Sequence, residues 1–337
     1  MNERPVTLRQ LAKRLGVSSA TVSLALRNSP TISAPVRKRV QAMAKKLNYR
    51  GNILINALMT QVRRGRVGEG GEVIGLLLEG AEPPTAPGIV EGVAAARERA
   101  RLAGLRLDTF LLGRRGGDSA SVNRMLFSRG IRGVIVGLMP LDLLPLAVEW
   151  DRYACMAIGY SFQQVMIHRV ANAHFQGLLT CYEELRRSGC ERIGCVLGSD
   201  EDERSRHYWQ AAARSAPHLF GGTRIAPLMM DLPLKRPLFE TWFRRHRPQA
   251  VIGNHPDYVA GWIAELKLEA RYVTLDRYED WPWSGIRQSW AEMFATSVDQ
   301  LVGKLARNEF GLPASPRVTL IEGTWTEAAN KFPKVVA

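Results

Sequence analysis

Cysteine is scarce in this 337-residue chain. There are four, Cys155, Cys181, Cys190 and Cys195, with no C-x-x-C pair and no histidine at finger spacing. That excludes a zinc module and a disulfide framework, and leaves thiols that pack as small hydrophobes. No apolar run approaches the roughly 18 residues a bilayer span needs, and nothing near the start reads as a signal peptide. The expectation is a cytoplasmic protein with no membrane partner. Acidic residues are missing from one stretch in particular: residues 1–66 hold 14 Lys and Arg against the single acid Glu3, whereas the rest carries 32 basic and 31 acidic side chains. A generally basic protein would spread its charge, so a basic module on a neutral body is the footprint of phosphate binding. No G-x-S-x-G, P-loop, H-E-x-x-H or kinase signature is present, so no enzyme, cofactor or metal is expected.

The basic segment is patterned as three short helices. Leu8, Leu11, Ala12 and Leu15 fall on one face, Thr7 with Gln10 opens that helix, and Gly16 stops it. Ser18 caps a second helix whose Val22 and Leu26 face inward, leaving Ser19, Ala20, Ser23, Leu24 and Arg27 outside. Ser33 caps a third, with Pro35 in its first turn, Val36, Val40, Met43 and Leu47 inside, and Arg37, Lys38, Arg39, Lys45 and Lys46 outside. Two helices joined by a glycine-containing turn make a helix-turn-helix, and three this short bury too little to build an enzyme site.

With these landmarks in place (Val6-Thr7, Gly16-Val17-Ser18, Ala20-Thr21-Val22-Ser23, Asn28, Arg37 to Val40, Leu47-Asn48-Tyr49, Asn52 and Ala57-Leu58), residues 6–58 resemble the DNA-binding headpiece of the LacI family of bacterial transcription regulators. The resemblance implies that Ser19, Ala20, Ser23 and Leu24 meet base edges in the major groove. Ser18, Thr21, Arg27 and Asn28 would hold phosphates. It adds Thr7, Ser33, Tyr49, Asn52, Ala57 and Leu58 to the DNA-contacting set, with Leu58 as a hinge wedge that kinks a central base step from the minor groove. Two departures stand out. Gly51 occupies a hinge position where relatives usually carry proline, and Leu24 replaces an arginine that many use on guanine.

From Glu72 onward, short apolar runs (73–78, 105–111, 133–136, 155–158, 193–197, 250–252, 272–275 and 318–321) alternate with helical patterns such as 88–103 and 176–188. Strand and helix in alternation argue parallel sheets covered on both faces, and the length argues two lobes with a cleft. Phrasing such as 126–136, 185–193 and 248–252 resembles the family's effector-binding core. The fold class expected is therefore an all-α helix-turn-helix headpiece plus an α/β two-lobed, type I periplasmic-binding-protein-like core with parallel sheets. The expected domains are a headpiece at 1–50, a hinge and linker at 51–71, and a core at 72–337. Within the core, lobe 1 takes about 72–169 plus 286–313 and lobe 2 about 170–285 plus 314–337.

Ligands of such cores lie between the lobes at the carboxyl ends of strands. By position the resemblance nominates Arg204, with Arg206 as the alternative, and the pair Asn254-His255 as polar effector contacts; Asp276, after the apolar run 272–275, and Gln288 complete the polar candidates, and Trp209, Trp283 and Trp281 are the aromatic ones. Trp209 could equally be helix core and Arg204 a surface ion pair, while His168 and His174 read as making local bonds. Ala171-Asn172 and Asn254-His255 depart from the pairs that relatives use on sugars. The implied function is a repressor-type regulator that binds a pseudo-palindromic double-stranded DNA operator as a homodimer and answers to a small-molecule effector, with a carbohydrate the first choice of class. A solute-binding protein without a DNA role and an effector-independent regulator are the alternatives. Residues 322–337 lack leucine heptads, so the tetramer-forming tail of some relatives is not expected.

Overall fold

Three helices open the chain: α1 (Leu8–Leu15), α2 (Ser19–Leu26) and α3 (Ala34–Lys46). The structure, a computed structural model, describes residues 8–26, 32–47, 72–80, 82–112, 119–139, 146 and 148–328. The predicted hinge at 51–71 lies outside the described residues, as do Thr7, Arg27, Asn28 and Tyr49. The headpiece core is Leu11, Ala12, Leu15, Val22, Ala25, Val40 and Ala44. The inward turn of α2 is therefore Val22 with Ala25, and Leu26 is only partly buried, because a small residue is what the close approach of α1 and α3 admits.

Two six-stranded sheets follow. The first combines β1 (Val73–Glu79), β2 (Arg106–Leu112), β3 (Gly133–Val136), β4 (Ala154–Ile158), β5 (Arg169–Asn172) and β11 (Val318–Ile321) in the order β11-β5-β4-β3-β1-β2, all parallel. The second combines β6 (Ile193–Gly198), β7 (Leu228–Met230), β8 (Ala250–Gly253), β9 (Arg271–Thr274), β10 (Ser284–Arg287) and β12 (Thr324–Thr326) in the order β12-β10-β9-β8-β6-β7, parallel except for β12 on β10. Central strands such as β3 and β4 are buried on both faces, which is why they read as unbroken apolar runs without alternation. Helices cover the faces: α4 (Pro87–Leu102), α5 (Ser119–Ser128) and α11 (Trp290–Arg307) on the first sheet; α6 (His174–Arg187), α7 (Ser199–Arg204), α8 (Tyr208–Phe220), α9 (Arg236–His246) and α10 (Pro256–Glu265) on the second.

The chain crosses between lobes three times, after β5, after β10 and between β11 and β12. The expected lobe limits therefore need correction. Residues 170–172 and 318–321 belong to the first sheet and 286–287 to the second, because strand pairing rather than length decides where the chain changes lobe. Gly88 and Gly92 on α4 are what let α11 lie close. A Cβ at Gly88 would stand 2.5 Å from the Trp290 indole nitrogen, and one at Gly92 would run into the Phe294 ring. All four cysteines are buried and unpaired. No helix among the described residues is long and apolar enough to cross a membrane.

Candidate functional site

In the headpiece, Ser18 begins α2 by accepting the Thr21 backbone N–H on its Oγ at 3.0 Å, with the Thr21 hydroxyl 2.8 Å away. That bond satisfies one of the orphan donors at the helix start. Ser19 and Thr21 are half-buried, Leu24 is 37 % exposed and Ser33 is exposed. Ala20 and Ser23 lie on α2, and Ser33 precedes α3, where its carbonyl accepts the Arg37 N–H at 3.0 Å. Two arginines expected on the outer face are tied inward. Arg39 donates to the Leu15 carbonyl at 3.0 Å, closing the end of α1, and Arg37 donates to the Ile32 carbonyl at 2.9 Å. A guanidinium satisfies a helix-end carbonyl and the negative end of its dipole together, which sequence position alone does not reveal. Asn52, Ala57 and Leu58 fall outside the described residues.

In the core, a cavity of about 340 Å³ opens between the lobes at the carboxyl ends of the strands. Arg204, Trp209, Asn254, His255, Asp276 and Gln288, nominated from sequence, all line it. Trp283 does not: it stands edge-on to Tyr272 at 5.8 Å and to Trp281 at 5.7 Å, packed with the second lobe's outer core. Trp209 is both helix core and wall, and Arg204 forms no ion pair among the described residues. Sequence reasoning missed Tyr160, His174, Glu201, Tyr278 and Trp290, and noted Asn172 only as a departure from a pair that relatives use on sugars. His174, expected to bond locally, is the first residue of α6, lines the cavity and keeps an unpaired Nδ1. His168 instead accepts the Arg317 N–H at 2.9 Å.

The polar geometry falls into two clusters. In one, Asp276 Oδ1 accepts the Trp290 indole N–H at 3.2 Å, a bond from α11 of the first lobe to the loop after β9 of the second, and its Oδ2 accepts the Tyr278 hydroxyl at 3.1 Å. Burial pushes the Asp276 carboxyl up to about 6 despite those two donors. Gln288 donates its amide N–H to the Leu275 carbonyl at 2.8 Å, which fixes the amide orientation. In the other cluster, the His174 ring meets Trp209 edge-on at 4.9 Å and Tyr160 at 6.5 Å, and burial lowers the His174 imidazole to about 4, so it is neutral. His255 Nε2 lies 3.4 Å from Glu201 Oε2, short of hydrogen-bond geometry. Burial raises the Glu201 carboxyl, but His255 and Arg204 outweigh it and leave the group below its ordinary value.

One count separates this cavity from ordinary interior. Of the seven buried side-chain polar atoms with no hydrogen-bond partner among the described residues, five line it: Asn172 Oδ1, His174 Nδ1, Glu201 Oε2, Trp209 Nε1 and His255 Nε2. Each unpaired group costs about 1–3 kcal/mol, so their concentration in one place indicates a site whose partners arrive with a ligand.

Residues 7–52 match the profile of the family described as bacterial regulatory proteins, lacI family. That match covers the headpiece, α1 to α3 with the residues just beyond them. The chain is 26 % identical over 205 residues to the HTH-type transcriptional regulator MalR of Streptococcus pneumoniae, a match covering 58 % of each protein, so it spans little more than half the length of that relative. Among solved structures, the lac repressor dimer bound to operator and the anti-inducer ONPF superposes with a TM-score of 0.58 at 20 % identity, covering 96 % of this chain and 98 % of that one. The complex of the transcriptional regulator CelR with cellobiose gives a TM-score of 0.59 at 17 % identity, covering 96 % and 99 %. At such identities the structural likeness speaks for the fold: a LacI-type headpiece and a two-lobed core.

Proposed function

We propose that this chain is a non-enzymatic transcription regulator of the LacI family that binds a pseudo-palindromic DNA operator as a homodimer and is modulated by a small molecule held between the lobes of its core. The observation that carries the reading is the pairing, in one chain, of a family-matched headpiece with an interlobe cavity that gathers five unpaired buried polar atoms. Residues 1–50 act as the reading module, 51–71 as hinge and linker, and the remainder as effector and dimerisation core. Ser19, Ala20, Ser23 and Leu24 face base edges, with Ser18 and Thr21 on phosphates. Leu24, which lacks hydrogen-bond donors, contacts thymine methyls where an arginine would take guanine.

The effector is of carbohydrate class, as in the CelR complex, held by Arg204, Asn254, Asp276 and Gln288 beside Trp209. A ligand switches the protein only by its differential affinity for two lobe arrangements; a hundredfold preference amounts to about 2.7 kcal/mol. The interlobe Trp290–Asp276 bond, which lies in the cavity wall, is the contact through which occupancy is felt by both lobes.

The test is competition binding of the full chain to genomic duplex fragments at moderate ionic strength, with and without metabolite extract. A preferred fragment with two-fold symmetry is the expected result, and sedimentation of the protein as a dimer at micromolar concentration accompanies it. No preference over random competitor in either condition overturns the regulator reading. On the preferred operator, Leu24→Arg is expected to weaken binding by about tenfold or more and to shift preference toward guanine at the facing position, each good base contact being worth about 1–3 kcal/mol. Unchanged preference removes Leu24 from the reading set.

A further inference from the structure

Besides the Trp290–Asp276 bond, the lobes meet at a second place beside the cavity, and this contact is aromatic. Tyr160, in the turn that follows β4 of the first lobe, is 6 % exposed and meets Tyr208 of α8 in the second lobe edge-on, with ring centroids 5.3 Å apart. Its other neighbour across the gap is the His174 ring at 6.5 Å. Edge-on rings at this spacing attract through their quadrupoles as well as by burial. The first-lobe side of the contact is braced: Arg169 lies 5.6 Å over the Tyr160 ring and donates to the carbonyls of Gly159 and Phe162 at 2.9 and 3.2 Å, so one guanidinium holds the whole turn.

The second-lobe side is built differently. Arg206 and His207, the two residues before Tyr208, both stand in the left-handed region at φ 59° and 60°, which bulky side chains rarely adopt and which persists only where the surroundings over-determine it. Asp202, 1 % exposed, supplies that determination. Its carbonyl accepts the His207 N–H at 2.7 Å and the Ser205 hydroxyl at 2.9 Å. Its carboxylate accepts the Gln210 N–H on Oδ1 at 2.9 Å, at the amino end of α8, and faces His207 Nδ1 from Oδ2 at 3.0 Å. Bonds to residues 205, 207 and 210 thus converge on one buried residue that does not itself line the cavity. Because α8 starts at Tyr208, fixing His207 and Gln210 fixes the direction in which Tyr208 leaves the second lobe, while Trp209, the next residue, turns toward His174 at 4.9 Å. A turn that merely joined α7 to α8 would need neither the strain nor the buried charge.

Resting on the reading of the core as an effector module with two lobe arrangements, we propose that Asp202 is a positioning residue: it holds the 205–208 turn so that Tyr208 reaches Tyr160, and this aromatic contact biases the ligand-free core toward the lobe arrangement described here. A ligand then acts on a preference that the protein already has, and the size of that preference sets how much of the ligand's differential affinity is needed to switch it.

The test pairs amide exchange with operator binding, both on the purified full chain without ligand. Tyr208→Ala, a change at an exposed side chain of the second lobe, should quicken exchange of the amides at 159–162 in the first lobe at least about fivefold, and Tyr208→Phe, which keeps the ring, should leave it near wild type. Asp202→Asn should quicken the same amides although Tyr208 is still present. Added to Tyr208→Ala it should do no more there than Tyr208→Ala alone, since a residue that acts through Tyr208 has nothing left to position. Ser205→Ala, which removes one of the bonds to Asp202, takes its place in this comparison if Asp202→Asn does not fold. On the preferred operator, Tyr208→Ala should change affinity at least about threefold and Tyr208→Phe should not. Unchanged exchange at 159–162 in Tyr208→Ala, or additive effects of Asp202→Asn and Tyr208→Ala on those amides, overturns the proposal. So does quickened exchange with unchanged operator affinity, and in each of these cases a wild-type preference for its operator leaves the regulator reading standing. A wild type without any operator preference overturns the regulator reading, while the exchange comparison still decides the proposal.

Discussion

Asp276 shows how much of the cavity's behaviour rests on one side chain. Its carboxyl is raised from 3.8 to about 6, so the native state holds a proton that the unfolded state has released between those values. Stability contributed by the protonated form is complete below about pH 4 and lost as pH rises through 6, a swing of at most about 3 kcal/mol at 1.36 kcal/mol per unit. Asp276→Asn should therefore raise the ligand-free melting temperature at pH 7 relative to wild type, with the difference vanishing near pH 4, as read by thermal melts across that range. Equal pH slopes in the two proteins would remove Asp276 as the cause. The same variant should bind effector more weakly, because it loses an acceptor with two lone-pair faces. Among these residues, Arg204 and Asn254 were legible in the sequence because the resemblance specifies their positions, and Asp276 and Gln288 because each is a polar residue just after a strand. Asn172, His174, Tyr278 and Trp290 were not. Each is an ordinary helix, strand or loop residue until pairing between sheets brings it to the cavity, and nothing in local spacing distinguishes an unpaired Asn172 oxygen from a solvated one. Trp283 erred the other way: an aromatic near the right strand end packs outward against Tyr272.

Elements depend on small residues and caps more than on propensity. Ser18 is the visible start signal of α2, and Ser18→Ala should cost about 1 kcal/mol of local stability by freeing the Thr21 N–H. Amide exchange of the α2 amides in the full chain should then quicken about fivefold, and unchanged protection would show that tertiary packing alone holds the helix. The α4–α11 contact relies on bare backbone. Gly92→Ala forces a methyl into the Phe294 ring and should destabilise by about 1–3 kcal/mol, lowering the melting temperature, whereas Gly261→Ala on α10, with open space around its Cβ, should be neutral or slightly stabilising. A melting temperature equal in both variants would refute the close-approach argument. Doubly buried strands such as β1 and β3 were readable as apolar runs, seven and four residues long. The strands β5 (RVAN), β10 (SGIR) and β12 (TWT) were not, because polar residues interrupt them and so short a segment carries no period.

At the scale of the molecule, three crossings of chain couple two lobes around one cavity, so ligand binding and global stability are linked. A ligand at about a hundred times its Kd should add about 2.7 kcal/mol to the core, visible as a rise of several degrees in its melting transition. On the proposed reading, in which the headpiece reports the lobe arrangement, the same ligand must change operator affinity in proportion to its preference between arrangements. A ligand that raises the melting temperature but leaves operator affinity untouched would mean that occupancy and lobe angle are uncoupled.

The sequence by itself determined the class of the molecule: a basic, capped three-helix headpiece on a charge-balanced α/β body, because helix caps, apolar periodicity and net charge are local or additive properties. It also pointed to the strand ends where a ligand would sit. Only the tertiary structure decided where the chain changes lobe, that Arg39 closes α1, and which side chains meet at the cavity. These are outcomes of pairing between segments far apart in the chain, and hydrogen-bond partners and unpaired atoms exist only once that pairing is made.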